Sequence, residues 1–138
     1  CRPEAPERLV VQIEKAQKRK VLIVEDNPDL VEVLRLFMSS ISLNLDLEAV
    51  TSGFDALKSI EDRAPSLVIL DVMMPGIDGI EVIRRMNLLP AGKNIPVLVL
   101  TGYMEAAQKA MRAGAKEVLL KPFEKEVFVK KVTRLLAS

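Results

Sequence analysis

Val21-Leu22-Ile23-Val24-Glu25-Asp26-Asn27-Pro28 sets a branched apolar run against two carboxylates and an Asn-Pro pair. A run without alternation fits a strand buried on both faces, as parallel sheets require. Pro28 suits the first turn of a helix, where its missing N–H costs nothing. The stretch therefore reads as strand, acidic turn, helix. The same grammar returns at Leu67-Val68-Ile69-Leu70, Val97-Leu98-Val99-Leu100 and Val118-Leu119-Leu120, each too short for a helix. Residues 43–49, Leu-Asn-Leu-Asp-Leu-Glu-Ala, alternate instead, which predicts a half-exposed strand at a sheet edge.

Segments of helical period separate these runs. Leu30, Val33, Leu34, Phe37 and Met38 form a stripe after Pro28. Phe54, Leu57 and Ile60 form the next, after Thr51-Ser52-Gly53. Ile80, Ile83 and Met86 form the third. Met104, Ala107, Ala110 and Met111 form the fourth, with Gly114 as its C-terminal cap. Phe128, Val132, Leu135 and Leu136 form the last. The expected fold is α/β: a single doubly wound (βα)5 domain on a parallel five-stranded sheet. Residues 20–138 would make that domain. Residues 1–19 would be an N-terminal linker or helical extension, with Leu9, Ile13 and Ala16 at helical spacing and Lys18-Arg19-Lys20 as a solvated lead-in.

Composition narrows the chemistry. The 138 residues suit one domain, and 49% apolar with 28% charged residues is ordinary globular composition. The sequence has no histidine and one cysteine, at position 1. That removes Ser-His and Cys-His nucleophile pairs, imidazole metal sites, phosphohistidine, an intrachain disulfide and a thiolate zinc cluster. Twenty Lys and Arg against 19 Asp and Glu leave a net charge of +1, giving no electrostatic case for nucleic acid or membrane binding. The stretch from Asn94 to Met104 is too short to span a bilayer and no signal-peptide pattern precedes it, so a cytoplasmic location is expected. A start at Cys1 rather than Met suggests an excised or processed fragment.

The polar residues beside the apolar runs converge by topology. Glu25 and Asp26 follow the first run, Asp71 the third, Thr101 the fourth and Lys121 the fifth. In a parallel sheet these ends share the edge where open α/β folds bind ligands. Three carboxylates there repel one another unless a cation lies between them. Oxygen ligands alone suit Mg²⁺, or Mn²⁺. A metal, a lysine and a hydroxyl around an ionised carboxylate make a phosphoryl-binding site, where the carboxylate can attack phosphorus without a general base.

These residues lie in Val-Glu-Asp-Asn-Pro (24–28), Asp-Val-Met-Met-Pro-Gly-Ile-Asp-Gly (71–79), Leu-Thr-Gly (100–102), Ala-Gly-Ala (113–115) and Lys-Pro-Phe (121–123). In that order they resemble the receiver domains of two-component response regulators, of the chemotaxis-receiver type, over residues 20–137. The resemblance implies a flavodoxin-like sheet of order 2-1-3-4-5 and a phosphoacceptor switch rather than an enzyme. Asp71 would accept the phosphoryl group from a histidine kinase or a histidine phosphotransfer protein. Glu25, Asp26, Asp71 and the backbone carbonyl of Met73 would hold Mg²⁺. Lys121 would pair with phosphoryl oxygens and precede a cis bond to Pro122, and Thr101 would swing towards the new charge. The fourth helix, fifth strand and fifth helix would carry output and a homodimer contact. The chain would be either the receiver of a hybrid histidine kinase or a stand-alone regulator.

Two positions depart from the family pattern. Glu25 stands where Asp is common, and Val118 where many members carry Tyr or Phe. Val118 leaves room for a phosphorylation-independent pseudo-receiver. A third reading, an Mg²⁺-dependent aspartyl-phosphate phosphatase, needs an aspartate two residues after Asp71, where Met73 stands. Asp78-Gly79 reads as a turn and helix start, Asp26 as a helix cap as well as a ligand, and the methionines at 73, 74, 86, 104 and 111 as packing.

Overall fold

The computed structural model describes residues 18–72 and 78–137. Strand β1 (Arg19–Val24) leads into α1 (Pro28–Met38), β2 (Leu45–Val50) into α2 (Gly53–Asp62), and β3 (Leu67–Asp71) into α3 (Gly79–Leu88). Then come β4 (Val97–Thr101), α4 (Met104–Ala113), β5 (Glu117–Leu120) and α5 (Lys125–Ala137). All strand pairs are parallel, in the order β2-β1-β3-β4-β5. The expected doubly wound α/β fold and strand order are therefore observed. The expected carbonyl ligand Met73 and the expected extension over residues 1–17 lie outside the described residues.

Because side chains alternate along a strand, each central strand feeds two cores. Leu22, Val24, Val68, Leu70, Val97 and Val99 pack against α2, α3 and α4 through Ala56, Ile60, Val82, Ile83, Met86 and Ala110. Val21, Ile23, Leu67, Ile69, Leu98 and Leu100 pack on the other face, against Leu34 and Met38 of α1 and Phe128, Val132, Leu135 and Leu136 of α5. The edge strand β2 is mostly half-buried, as alternation predicts, and extends to Val50. Gly114 closes α4 at φ 122°, a backbone conformation that favours glycine.

Some stripe residues face outwards. Phe54, Met104 and Met111 are 61%, 58% and 48% exposed, and Val33 is 40% exposed. In α4 the inward face runs through Ala106, Ala107, Ala110 and Ala113, so both methionines lie beside it rather than on it. Small residues on that face let a helix pack close to a sheet. Phe54 instead lies under the Arg85 guanidinium, 5.8 Å from the ring centroid.

The reading of residues 18–20 as a solvated lead-in is corrected at Lys20, which is 5% exposed. Its Nζ donates to Ser59 O at 2.9 Å, Ser59 Oγ at 2.7 Å and Arg63 O at 2.8 Å, and lies 3.2 Å from Glu48 Oε1. A cation thus satisfies carbonyls at the C-terminus of α2, where the helix dipole favours it. Ser59 Oγ in turn donates to Glu48 Oε1, which holds the Glu48 carboxyl below its usual range. Lys20→Met removes every one of these donors. It is expected to lower stability by about 1–3 kcal/mol in urea unfolding; an unchanged midpoint would show the network to be dispensable.

Candidate functional site

Parallel pairing ends the strands on one edge and fixes what meets there. Asp71 closes β3 opposite Leu100, and Thr101 closes β4 opposite Leu120. Glu25 and Asp26 follow β1, and Glu25 N donates to Val50 O at 3.0 Å, which ties the turn to β2. Lys121 follows β5, held by its N–H on Thr101 O at 2.8 Å. The five residues singled out in the sequence are therefore brought to one edge.

Carboxylate oxygens of Glu25, Asp26 and Asp71 lie within 4.8 Å of one another. Glu25 and Asp71 are buried and Asp26 is exposed. Lys121 Nζ lies 3.5 Å from Asp71 Oδ2, at the outer limit of a hydrogen bond. Burial pushes the Glu25 carboxyl from 4.5 up to about 7. The Asn27 N–H opposes that rise, the Asp71 charge adds to it and Lys121 counters it. Glu25 Oε2 accepts from Asn27 N at 3.1 Å, while the buried Oε1 has no hydrogen-bond partner.

An orphaned buried oxygen within a cluster of like charges is costly as it stands. A divalent cation would satisfy the oxygen and remove the repulsion together. The donor set is all oxygen, which suits a hard ion that keeps several waters. Glu25, Asp26 and Asp71 are the residues that could hold it, with Lys121 as the adjacent fixed positive charge.

The helix cap differs from the expected one. Asn27, not Asp26, caps α1, its side chain accepting from Asp29 N at 3.0 Å. Pro28 at the first helical position makes its predecessor the cap, a signal already present in the sequence. Asp26 is thereby left out of the cap and belongs to the carboxylate cluster. Asp78 caps α3 by accepting from Glu81 N at 2.9 Å, in line with its reading as a turn and helix start.

Thr101 is buried, its Oγ1 accepting from Tyr103 N at 3.2 Å, and Tyr103 itself is 63% exposed. The Lys121–Pro122 peptide is cis, as the family resemblance implied. Val118 is half-buried and packs against the core beneath α2, α3 and α4.

Gly79 is a position whose importance the sequence did not reveal. Its N–H donates to Val72 O at 3.2 Å, so the first turn of α3 lies on the end of β3. A Cβ there would come 2.5 Å from Val72 Cα and 3.0 Å from Asp71 O. Gly79→Ala is expected to destabilise by about 1–3 kcal/mol, as overpacking against backbone does. Its amide shifts should centre on Asp71 and Val72. A variant of wild-type stability with no such shifts would show that α3 can move away freely.

The family model of the response regulator receiver domain matches residues 21–133. The response regulator MprA of Mycobacterium sp. (strain KMS) is 36% identical over 120 residues, which cover 85% of this chain. The chain spans 50% of that protein's length. A putative response regulator from Chloroflexus aurantiacus J-10-fl superposes with a TM-score of 0.81 at 34% identity, covering 88% of this chain and 99% of the other. The signal receiver domain of a signal transduction histidine kinase from Syntrophus aciditrophicus superposes at 0.77 with 30% identity, covering 86% and 90%. Sequence motifs, sheet order and edge geometry agree with these likenesses, and the chain belongs to the response regulator receiver domain family of two-component signalling.

Proposed function

We propose that Asp71 is the phosphoacceptor of a two-component signalling switch, working with Mg²⁺ and receiving its phosphoryl group from a partner's phosphohistidine. The observation that carries this is the buried Asp71 carboxylate, grouped with Glu25 and Asp26 within 4.8 Å and faced by Lys121 at 3.5 Å. An Asp71 oxygen attacks phosphorus in line. The P–N bond breaks, its electron pair stays on the imidazole, and an acyl phosphate forms. Bound Mg²⁺ would supply charge neutralisation and orientation of the phosphoryl oxygens. Glu25 and Asp26 would hold that positive charge beside Asp71. Lys121 moves from the carboxylate to a phosphoryl oxygen, and Thr101 donates its hydroxyl to another.

The new group carries a charge of about −2 near neutral pH. It draws Thr101 inwards and biases the surface of α4, β5 and α5, where an output partner or a second copy would dock. Val118, smaller than the aromatic common at that place, weakens the link between Thr101 and that surface. The receiver begins at Arg19, the first residue of β1, and the residues before it would act as a linker. No helix of the described residues is long and apolar enough to cross a membrane. The protein would act as a cytoplasmic receiver that assists its own phosphorylation but turns over no separate substrate.

The test is incubation with labelled acetyl phosphate and Mg²⁺. One equivalent of label, released by hydroxylamine as an acyl phosphate requires, is expected. Protein left unlabelled by both acetyl phosphate and a phosphorylated histidine phosphotransfer protein would overturn the reading.

A further inference from the structure

The far edge of the sheet holds a cavity of about 780 Å³. It opens where β1, β3, β4 and β5 begin, at the opposite end from Asp71. Among the described residues its walls carry Arg19, Lys93 and Lys116 and no carboxylate. In a chain of net charge +1, that local excess of positive charge is not a reflection of composition. Elsewhere some cations have carboxylate partners. Arg63 pairs with Asp46, Arg84 and Arg85 with Glu81, and Lys131 and Arg134 with Glu117. Lys93 and Lys116 have no ion-pair partner among the described residues.

The rest of the lining is of another character. Pro65, Ile95, Pro96, Leu135 and Leu136 give it an apolar wall. Arg19 donates to the Leu136 carbonyl, so its guanidinium is held at the rim. Cations beside an apolar wall suit a ligand that is anionic at one end and flat and apolar at the other. The volume falls in the range of small-molecule pockets.

We propose that this cavity binds a small organic phosphate, of the nucleotide class. Its phosphates would lie between Lys93 and Lys116 and its ring against Pro96 and Leu135. Such a ligand would touch Gly114, which caps α4, and the residue that leads into β5. It would thus meet the same elements as the phosphoacceptor edge, from the other end. The site does not depend on the role proposed for Asp71.

The experiment is a titration of ¹⁵N-labelled protein in Mg²⁺-free buffer with ATP, and in parallel with tripolyphosphate. Saturable shifts at Lys93, Lys116 and Leu135 are expected with ATP, and weaker binding with tripolyphosphate, which lacks the ring. The Lys93→Ala/Lys116→Ala double variant should bind ATP about tenfold more weakly through loss of two charge-assisted contacts. Asp71→Asn should bind like wild type. The proposal is overturned by absence of shifts, by shifts centred on Glu25 and Asp71, or by ATP affinity unchanged in the double variant. Equal affinity for tripolyphosphate would overturn recognition of an organic ligand.

Discussion

Asp71→Asn is expected to abolish labelling by acetyl phosphate and to remove the spectral response to beryllofluoride with Mg²⁺. The amide keeps the shape of the side chain and loses its charge. A neutral amide oxygen is a poor nucleophile towards phosphorus, and among the described residues the ion pair of Lys121 is with Asp71. That lysine lies 3.5 Å from Asp71 Oδ2, whereas Glu25 engages the Asn27 amide. With the reaction barrier raised, loss of label should be complete over the time in which wild type reaches one equivalent. Circular dichroism and urea unfolding should remain those of a folded protein. Label retained at wild-type level would place the acceptor elsewhere and sink the assignment of Asp71.

The second large effect concerns metal and pH together. The folded state holds the Glu25 proton more tightly than the unfolded chain, because burial pushes that carboxyl from 4.5 up to about 7. Between those two values the native protein binds more protons than the unfolded one, so stability falls as pH rises. Metal-free protein should therefore be most stable below about pH 4.5 with respect to this group. It should lose up to about 3 kcal/mol from it by pH 8. Mg²⁺ is expected to reverse the trend by binding the ionised form. At a hundredfold excess over its Kd it adds about 2.7 kcal/mol.

Glu25→Gln should flatten the metal-free profile between pH 5 and 8 and abolish the Mg²⁺ gain. Paired urea titrations with EDTA and with Mg²⁺ measure both. A wild type equally stable at pH 5 and 8 without metal, and unmoved by Mg²⁺, would overturn both the buried charge and its role.

The fold was largely legible because each step of it is written in short-range pattern. Unalternating runs at 21–24, 67–70 and 97–100 require burial on both faces, and only a parallel sheet between helix layers supplies that. The alternating segment ending near Ala49 requires an edge, and β2 is one. Helix faces were less legible. Met104 and Met111 share a helical stripe with Ala107, yet the alanines take the inward place and both methionines stay exposed.

The order of residues by itself determined that carboxylates, a hydroxyl and a lysine stand at strand ends, since that follows from where each apolar run stops. Only the tertiary structure decided which of them interact. It buries Glu25 with one oxygen unpartnered, leaves Asp26 exposed and puts Lys121 beside Asp71. It also took Lys20 out of a basic run that looked solvated and set it on the end of α2. Burial and electrostatics are properties of distance in space, fixed by strand register between segments far apart in the chain. No local pattern carries that register.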